Sequence, residues 1–418
     1  MRPHFLYGGG VQLEPARTVQ WIFWCWGDLH PDRHLGFRSA VVEAMFDIAR
    51  CGTGALGWRE YRCWEHGTES RPNTCRRRDC PQCIGDRAFR WAGAMEGRLL
   101  DCPHFHVVAT LSDVLNPYWR YNRTAMADIL FQAISAALQG LLRSPRHMGG
   151  TPAILVVLHT HGGALVLHPH VHVIVSLVGL SPDGTLVRAK RKTLLPYRVL
   201  RRAFQNAFLH RLKELASRPD FHLPKGTTAR QFRLLLDKLF AQSQANWNVR
   251  IFRRDDVRPV LFYLSRTVYG GPIRNDRIVS VDAESVSLRY ADWRHREEGG
   301  GLSPPMTICR LTLDDFVARY SEHVLEPGFN CVRHYGLFAP GNRELLDAAR
   351  ALLLQSALPM ERSADDPPAP EPLVRCKRCQ QPMLLVRELP PTQVVLSPTA
   401  HLSLHARASP FLRWEAAA

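Results

Sequence analysis

The chain has 418 residues, of which 45% are apolar and 22% charged. This apolar content is enough to bury one large hydrophobic core or two to three ordinary ones, so a chain disordered throughout is excluded. The formal net charge of +16 indicates a polyanionic partner such as nucleic acid. No stretch reaches the roughly 18 uninterrupted apolar residues of a membrane helix, and the first residues lack the layout of a secretion signal. We therefore predict a soluble, cytoplasmic protein with no membrane partner.

Five of the 11 cysteines lie between positions 51 and 83. An odd cysteine count in a chain without an export signal argues against a disulfide framework and favours metal binding. A C-x2-H pattern is followed 13 residues later by a C-x2-C pattern, so two short turns can offer four ligands to one tetrahedral zinc ion. The ligands predicted for this structural zinc are Cys63, His66, Cys80 and Cys83, with Cys51 and Cys75 as alternatives that the sequence cannot rank.

A second C-x2-C pattern, from Cys376 to Cys379, follows an acidic, Pro-rich stretch at 361–372 that is typical of a linker. Two thiols do not make a site by themselves. His401 and His405 could complete one, but the 21 residues between the two pairs exceed the usual finger spacing. We therefore interpret this pattern as a half-knuckle in a C-terminal tail.

Hydrophobic periodicity predicts an α+β fold. Short runs rich in Val, Ile and Leu indicate buried strands at 104–111, 153–159 and 170–179. Gly162 and Gly163 suit a turn between the second and third runs, which are therefore expected to pair antiparallel. Helices are predicted at 39–50, 121–143, 200–215 and 228–245. This order is typical of an antiparallel sheet with flanking helices on one face.

The third predicted strand begins with His168, His170 and His172. Because successive side chains of a strand point to opposite faces, all three imidazoles lie on the same face. One histidine is usually an ordinary core residue, but three at this spacing, followed by a buried apolar run, predict a divalent metal site. His159 on the neighbouring predicted strand could contribute a ligand, and His161 in the turn is a weaker candidate.

A further helix is predicted between Asp255 or Asp256, which can cap it, and Gly270, which can end it. Its buried stripe comprises Val257, Leu261, Leu264 and Val268. Tyr263 projects about 130° from the centre of that stripe, so the core of this helix does not require it. Arg266 and Thr267 flank the same outward face. The pattern favours a phenol placed beside a cation and a hydroxyl, and the alternative is a tyrosine that packs against another element or is simply exposed.

These blocks, in this order, resemble the HUH-type insertion-sequence transposases, which move by a rolling-circle-like, single-stranded route. The resemblance covers residues from about 40 to 345. It is carried by the cysteine block, PHFHVVATLSDVLN, LHTHGGALVLHPHVHVIVSLVGLSPDG, FYLSRTV with the following PIRNDRI, and MTICRLTLDDFVARYSEHVLEPGFNCVRHYGLFA. It implies that His170 and His172 are paired metal ligands, that Tyr263 is the nucleophile, and that the Cys-rich region is a zinc-binding domain.

The resemblance further implies an HUH endonuclease fold with a ferredoxin/RRM-like core, in a DNA transposase that nicks and rejoins single-stranded DNA at element ends. Mg or Mn would assist Tyr263, which would form a 5'-phosphotyrosine intermediate. A third metal ligand is needed, for which His168 and His159 are the candidates. The corresponding division is a zinc-binding, DNA-binding module at 1–100, a tyrosine transposase catalytic domain at 101–345, and a linker and tail at 346–418.

Three positions depart from the family pattern. Many members carry a second tyrosine four residues after the first, where this chain has Thr267, and Tyr269 faces another side of the helix. His66 stands where the first knuckle usually has a cysteine, a change that zinc tolerates. His161 replaces a residue that is commonly Trp. The chain is therefore expected to be a single-tyrosine transposase or an impaired two-tyrosine enzyme.

Affinity for DNA is expected to come from basic surfaces, because single-strand binding combines cations with aromatic faces for base stacking. The candidates are Arg76, Arg77, Arg78, Arg201, Arg202, Arg266, Arg333, His334 and Tyr335. The expected partners are single-stranded element ends and target DNA, at the nucleoid of a bacterial cytoplasm, with a dimer as an open option.

Three other interpretations remain open from the sequence. A replication initiator or a relaxase would use the same histidine pair and tyrosine. A decayed element copy would be a zinc-stabilised DNA-binding protein without nicking activity, and Thr267 is its best support. A histidine-metal hydrolase of small molecules would need acidic ligands near the histidine strand, where the sequence offers only Asp183.

Overall fold

The computed structural model describes residues 17–29, 36–241, 247–292, 305–355 and 374–391. Within these ranges the chain forms helices and antiparallel sheets, which confirms the mixed α and β character predicted above. The helices are α1 Val19–Leu29, α2 Ser39–Arg50, α3 Gly85–Glu96, α4 Asn116–Tyr121, α5 Arg123–Leu142, α6 Tyr197–Leu215, α7 Ala229–Ala241, α8 Arg258–Tyr269, α9 Leu313–Ser321 and α10 Arg343–Gln355. The strands are β1 Trp58–Cys63, β2 Gly67–Pro72, β3 His104–Thr110, β4 Thr151–His161, β5 Leu167–Leu180, β6 Leu186–Arg188, β7 Asn248–Arg254, β8 Ile278–Val281, β9 Ser285–Ala291, β10 Met306–Thr312, β11 Val332–Gly336 and β12 Leu384–Leu389.

A six-stranded antiparallel sheet forms the centre of the molecule, with the order β11-β4-β5-β3-β7 and β6 paired with β5. The three predicted strands correspond to β3, β4 and β5. The predicted hairpin of β4 and β5 is confirmed by their antiparallel register. The edge strands β7 and β11 are not indicated by the sequence, because their residues are largely polar and only partly buried.

The main hydrophobic core lies between this sheet and its helices. α5 and α6 correspond to two predicted helices and pack against each other. By length and apolar composition alone, α5 could cross a membrane. Its side chains Leu130, Phe131 and Leu138 are fully buried in the same core as Phe105 and Val107 of β3. The apolar character of α5 is therefore accounted for by its place in the core.

A second hydrophobic core joins the start of the chain to its later part. α1 and α2 pack there against α9 and the three-stranded sheet β10-β9-β8. Nε1 of Trp26 in α1 donates a hydrogen bond to Asp314 of α9 at 2.8 Å. Farther along, α10 packs in the main core and β12 pairs with β1. The domain boundaries placed near residues 100 and 345 stay predictions, and hydrophobic packing crosses both of them.

Candidate functional site

Three histidines converge on the hairpin of β4 and β5. His159 of β4 lies opposite His170 of β5 in the strand register, and His172 follows two residues later on the same face. One ring nitrogen of each histidine lies within 4.8 Å of the corresponding nitrogen of the other two. The rings of His159 and His172 are 4.3 Å apart, and these side chains are only 2% and 6% exposed. We refer to these three residues as the histidine cluster.

The histidine cluster fits a divalent metal ion. The buried Nε2 atoms of His159 and His172 have no hydrogen-bond partner. Nδ1 of His170 lies 2.7 Å from the backbone oxygen of His168, so Nδ1 carries the proton and donates it there, which leaves Nε2 available. Burial lowers the pKa of His170 to about 3 and the pKa values of the other two well below their usual range, so the imidazoles are in the neutral, metal-binding form. An all-imidazole donor set suits a transition metal better than magnesium, which prefers oxygen ligands.

The structure separates the two candidates for a third ligand. His168 is exposed at the start of β5, with its ring 5.3 Å from the ring of His170, and it is not part of the histidine cluster. His161 is turned toward His323, whose ring is 5.7 Å away. His159 is therefore the histidine that accompanies His170 and His172.

His106 of β3 is a neighbour of the histidine cluster that sequence reasoning missed. Its Nε2 lies 2.8 Å from Nδ1 of His172, and its side chain is 8% exposed. If Nε2 of His172 is a metal ligand, its Nδ1 carries the proton and donates it to His106, which fixes the orientation of the ring. The signal in the sequence was the alternating pair His104 and His106, which lies on β3, the strand that pairs with β5.

Tyr263 lies over the histidine cluster. The stripe predicted for α8 is confirmed, since Leu261, Leu264 and Val268 are at most 6% exposed. Tyr263 is 51% exposed, and its ring lies 5.7 Å from the ring of His172 and 6.0 Å from that of His159. Desolvation raises the pKa of the phenol above its ordinary value, so the hydroxyl is protonated at neutral pH. The outward face of α8 thus brings a tyrosine to the metal candidate.

Arg277 is the second missed residue of this site. Its guanidinium donates to the backbone oxygens of Gly163, in the turn between β4 and β5, and of Arg289 in β9, both at 2.9 Å. Its charge opposes the rise in the pKa of Tyr263. Arg277 therefore places a cation near the phenol while holding the turn of the histidine hairpin. The signal was present in the block PIRNDRI, which the resemblance includes without assigning a role to this arginine.

Two of the three positions that depart from the family pattern lie beside the same small cavity. Thr267 and His161 both line a space of about 40 Å³ next to His159. Tyr269 is turned away, as predicted, and its ring lies 5.1 Å under the guanidinium of Arg87 in α3. In the part of the chain that the structure describes, Tyr263 is therefore the tyrosine that faces the histidine cluster.

The predicted single zinc site is wrong in its grouping of ligands. Cys80 and Cys83 lie with Cys51 and Cys75, and Cys63 and His66 lie with Cys376 and Cys379. The reason is the hairpin of β1 and β2, which the sequence analysis did not foresee. Cys51 and Cys75 flank the base of this hairpin, whereas Cys63 and His66 are at its tip, roughly 20 Å away at the usual rise of a strand.

The four-cysteine cluster, Cys51, Cys75, Cys80 and Cys83, has the dimensions of a structural zinc site. The sulfur of Cys83 lies 3.5 Å from that of Cys51 and 3.6 Å from that of Cys75. Zinc–sulfur bonds of about 2.3 Å in a tetrahedron put sulfurs about 3.8 Å apart, which is close to these distances. All four thiols are free of disulfides. The cluster therefore fits one zinc ion.

The loop of the four-cysteine cluster contacts the end of α8. The backbone N–H of Gly271 donates to the oxygen of Arg78 at 2.9 Å. The hydroxyl of Tyr320 in α9 donates to the backbone oxygen of Asp79. Gly271 has φ of +69°, and a Cβ at this position would overlap the backbone oxygen of Asp79. The cysteine loop and the tyrosine helix are thus held in direct backbone contact.

The chain is similar to known transposases along most of its length. It is 30% identical over 383 residues to a Sinorhizobium fredii protein described as "Putative transposase y4qJ", covering 88% of this chain and 94% of that protein. It is 29% identical over 341 residues to the "Transposase for insertion sequence element IS801" of Pseudomonas savastanoi pv. phaseolicola, covering 79% and 78%. The family model described as "Putative transposase" matches residues 153–344, and the IS91 family model described as "Transposase zinc-binding domain" matches residues 27–111. No solved structure matches the chain.

This chain belongs to the IS91-type insertion-sequence transposases. The coverage and identity of the first relative show a transposase, the zinc-binding family model gives the IS91 type, and together they confirm the family predicted from the sequence. The transposase is therefore an enzyme that acts on DNA. Its four-cysteine cluster lies within the matched zinc-binding region, and its histidine cluster and Tyr263 lie within the matched 153–344 region.

Several arginines predicted to bind DNA have packing roles in this transposase. Nη1 of Arg77 donates to Asp47 at 3.1 Å, and Nη1 of Arg78 donates to the backbone oxygen of Phe329 at 2.6 Å. Arg333 pairs with Asp128, with its guanidinium 4.4 Å above the ring of Phe131. These contacts use part of each guanidinium, and the side chains of Arg77 and Arg333 remain 17% and 28% exposed, so DNA binding by the three arginines stays a prediction.

The other predicted DNA-binding residues differ in exposure. Arg76 and Arg202 are exposed. Arg201 lies 6.0 Å above the ring of Tyr197, and Arg266 lies 4.4 Å above the ring of Phe262 next to Tyr263. His334 and Tyr335 are partly buried on β11, and burial lowers the pKa of His334 to about 4. Arg266 is thus the predicted residue with both a cation–aromatic pair and a place beside the tyrosine.

The transposase has an exposed aromatic surface that the sequence analysis missed, on the edge strand β7. Phe252 is 40% exposed, and the guanidinium of Arg254 lies 5.5 Å above its ring. The ring of Phe252 is 6.1 Å from that of His106, which contacts His172. A series of ring contacts through the buried His106 therefore connects the histidine cluster to Phe252 at the edge of the sheet.

Proposed function

We propose that this transposase cleaves and rejoins single-stranded DNA at the ends of its element, with Tyr263 as the nucleophile. The observation that carries the proposal is the placement of the half-exposed Tyr263 ring within 6.0 Å of the rings of His159 and His172. A phenol beside three convergent neutral imidazoles suits metal-assisted phosphoryl transfer to tyrosine, because it places a nucleophile next to a set of metal ligands. The central antiparallel sheet that carries the histidines supports an HUH-type catalytic domain with a ferredoxin/RRM-like core.

In the proposed reaction, the hydroxyl oxygen of Tyr263 attacks the scissile phosphorus. The new bond joins this oxygen to phosphorus, the bond from phosphorus to the 3'-oxygen breaks, and a 5'-phosphotyrosine and a 3'-hydroxyl result. The phenol loses its proton to solvent and the leaving oxygen gains one, so the step is balanced. A later attack by a DNA 3'-hydroxyl on the phosphotyrosine restores a phosphodiester without ATP, because the adduct conserves the bond energy.

The surrounding residues have separate tasks in this proposal. His159, His170 and His172 would hold the metal ion, and the chemistry supplied there would be neutralisation of charge on the scissile phosphate and stabilisation of the phenolate. His106 keeps the ring of His172 oriented through the 2.8 Å contact. Arg277 adds a positive charge that counters the desolvation of Tyr263. We assign the four-cysteine cluster to a structural zinc that holds the loop against α8.

The single strand is proposed to follow the aromatic and basic surface beside Tyr263. Phe262 with Arg266 and Phe252 with Arg254 each pair a ring with a guanidinium, and both rings are at least 40% exposed. Bases can stack on such rings while the cations neutralise phosphates. This arrangement favours a single strand over a duplex, because stacking needs unpaired bases.

The test is formation of a covalent adduct. Purified protein is incubated with labelled single-stranded oligonucleotides that tile the element ends, with Mn²⁺ or Mg²⁺, and is resolved by denaturing electrophoresis. We expect a metal-dependent adduct that Tyr263→Phe abolishes and that the control Tyr269→Phe retains, since Tyr269 is turned toward Arg87. The absence of an adduct on every end, with DNA binding intact, would overturn the proposal in favour of a binding protein without nicking activity.

A further inference from the structure

We propose that Cys63, His66, Cys376 and Cys379 form a second structural zinc site, which fastens the C-terminal segment 374–391 to the hairpin of β1 and β2. The four ligand atoms all lie within 4.8 Å of one another. The two family regions that match the chain end at residues 111 and 344, so neither contains Cys376 or Cys379. We call this group the Cys3His cluster.

The distances within the Cys3His cluster match a tetrahedral site. The sulfur of Cys63 lies 3.6 Å from the sulfur of Cys379 and 3.7 Å from Nδ1 of His66. The sulfur of Cys376 is also 3.7 Å from that Nδ1. Zinc–sulfur bonds of about 2.3 Å and zinc–nitrogen bonds of about 2.0–2.1 Å place neighbouring ligand atoms of a tetrahedron about 3.5–3.8 Å apart.

The backbone on both sides already has the form of a metal knuckle. The N–H of Gln380 donates to the oxygen of Cys376, and the N–H of Cys376 donates to the oxygen of Gln381, both at 2.9 Å. Gln380 has φ of +60°, which closes this turn tightly. On the hairpin, Gly67 with φ of +77° follows His66 directly. Each of the two tight turns therefore presents two ligands. The turns are distant in sequence, since Cys379 is 316 residues from Cys63 and Cys376 is 310 residues from His66.

The small sheet around the Cys3His cluster has too little apolar burial to be stable by itself. β12 pairs with β1, and β1 with β2, but among the described residues the buried hydrophobic cluster here comprises Cys63, Cys376 and Met383, with Tyr61, Val374 and Cys379 partly buried against it. Leu384, Leu385 and Val386 of β12 are each about half exposed. A sheet with so small a core usually depends on a metal ion for its folding energy.

Ion pairs add little to this small sheet. Arg59 pairs with Glu388 at 2.8 Å, Arg387 with Glu60 at 3.2 Å, and Lys377 with Glu69 at 2.9 Å. Exposed pairs of this kind contribute about 0–1 kcal/mol each. The first two pairs join β12 to β1 and the third joins the Cys376–Cys379 turn to β2, and in the proposal the metal ion supplies the main attachment.

Metal content tests the proposal directly. The background variant is His159→Ala/His172→Ala, so that the histidine cluster does not contribute zinc. In this background we expect two zinc ions per chain, one for each cysteine-containing cluster. Cys376→Ser/Cys379→Ser should reduce the content to one, while the control Cys309→Ser, a partly buried thiol outside both clusters, should leave it at two. A content of one before the cysteine substitutions, or of two after them, would overturn the site.

A second measurement keeps the proposal testable if the cysteine variants fold poorly. A protease site is placed within 361–372, and the full-length protein is cleaved there under native conditions. With zinc bound, the C-terminal fragment should co-elute with the rest of the chain in size-exclusion chromatography, and a chelator should release it. A fragment that dissociates with zinc present, or that stays bound after complete zinc removal, would contradict the proposed attachment.

Discussion

At the scale of single residues, the site depends on a strand register that brings His159 beside His170. β4 and β5 pair antiparallel, so His159, two residues before the end of β4, faces the histidine pair that follows the turn. His168, although two residues from His170, is exposed at the edge of this arrangement. Position across the hairpin, and not proximity in sequence, therefore selects the third ligand.

His159→Ala should weaken metal binding far more than His168→Ala. A change in the shell outside the ligands typically costs 10–100-fold in metal affinity, so loss of a ligand should cost roughly 100-fold or more. His168→Ala should change the affinity less than about 3-fold, because its ring lies outside the cluster. Calorimetric titration of chelator-treated protein with Mn²⁺ measures both. Equal losses in the two variants would show that the third ligand is misassigned.

Phe252→Ala should weaken binding of single-stranded DNA. Stacking of a base on an aromatic ring is worth about 1–3 kcal/mol, so the dissociation constant should rise roughly 5- to 150-fold. Fluorescence anisotropy in a Tyr263→Phe background measures binding without covalent adducts. Phe252→Tyr should keep the affinity, and the control Phe89→Ala, which removes a ring that is 47% exposed on α3, should have little effect. Unchanged affinity in Phe252→Ala would rule out this surface as part of the path.

At the scale of elements, α8 is fixed from two sides. Its buried stripe packs in the main core, and the segment that follows it is bonded to the cysteine loop through Gly271 and Arg78. The position of Tyr263 over the histidine cluster is thus set by backbone contacts at the end of its helix. The cysteine region consequently has a structural connection to the tyrosine in addition to any contact with DNA.

Gly271→Ala should destabilise the protein and slow adduct formation. The positive φ disfavours any side chain, and the new Cβ would press on the backbone oxygen of Asp79. Strain of this type costs about 1–3 kcal/mol. The control is Gly184→Ala, where φ is +81° but no atom lies within 4 Å of the new Cβ. Comparison of the two variants in thermal unfolding and in the rate of adduct formation separates backbone strain, which both share, from the clash with Asp79, which only Gly271→Ala has. Equal unfolding temperatures and equal adduct rates would contradict a role for the contact between Gly271 and the cysteine loop in placing α8.

At the scale of the whole molecule, the chain is assembled by contacts between distant segments. The second core joins α1 and α2 to α9, and β12 adds to the sheet of β1 and β2. Buried histidines are distributed through this assembly. His104 is 2% exposed and His323 5% exposed, and burial lowers the pKa of each to about 4.

The metal-free protein should lose stability as pH falls from about 6.5 to about 4. The unfolded chain takes up protons on histidine near pH 6.5, whereas folded His104 and His323 stay neutral until about pH 4, so acid favours the unfolded state in this interval. Each such histidine contributes a slope of up to about 1.4 kcal/mol per pH unit. Urea unfolding midpoints in the presence of a chelator, measured between pH 7.5 and 4.5, test this. A constant midpoint from pH 7 to pH 5 would contradict it.

Elements with local sequence patterns could be predicted without the structure. The apolar runs of β3 to β5, the stripe of α8 and the outward direction of Tyr263 all follow from the period of a strand or a helix. The motifs His170-Val-His172 and FYLSRTV also indicated the family, which the similarity to other transposases confirms. These features need only a few consecutive residues, so they can be interpreted without knowing the fold.

Contacts between residues that are distant in sequence could be identified only from the three-dimensional fold. The grouping of the cysteines into two clusters depends on the hairpin of β1 and β2 and on the pairing of β12 with β1. These segments are distant in sequence, since Cys63 and Cys379 are 316 residues apart. The approach of His106 and Arg277 to the site depends on strand order and on a loop contact. Spacing along the chain carries no information on such contacts, because register and packing, which are set by the whole core, determine the distances between side chains.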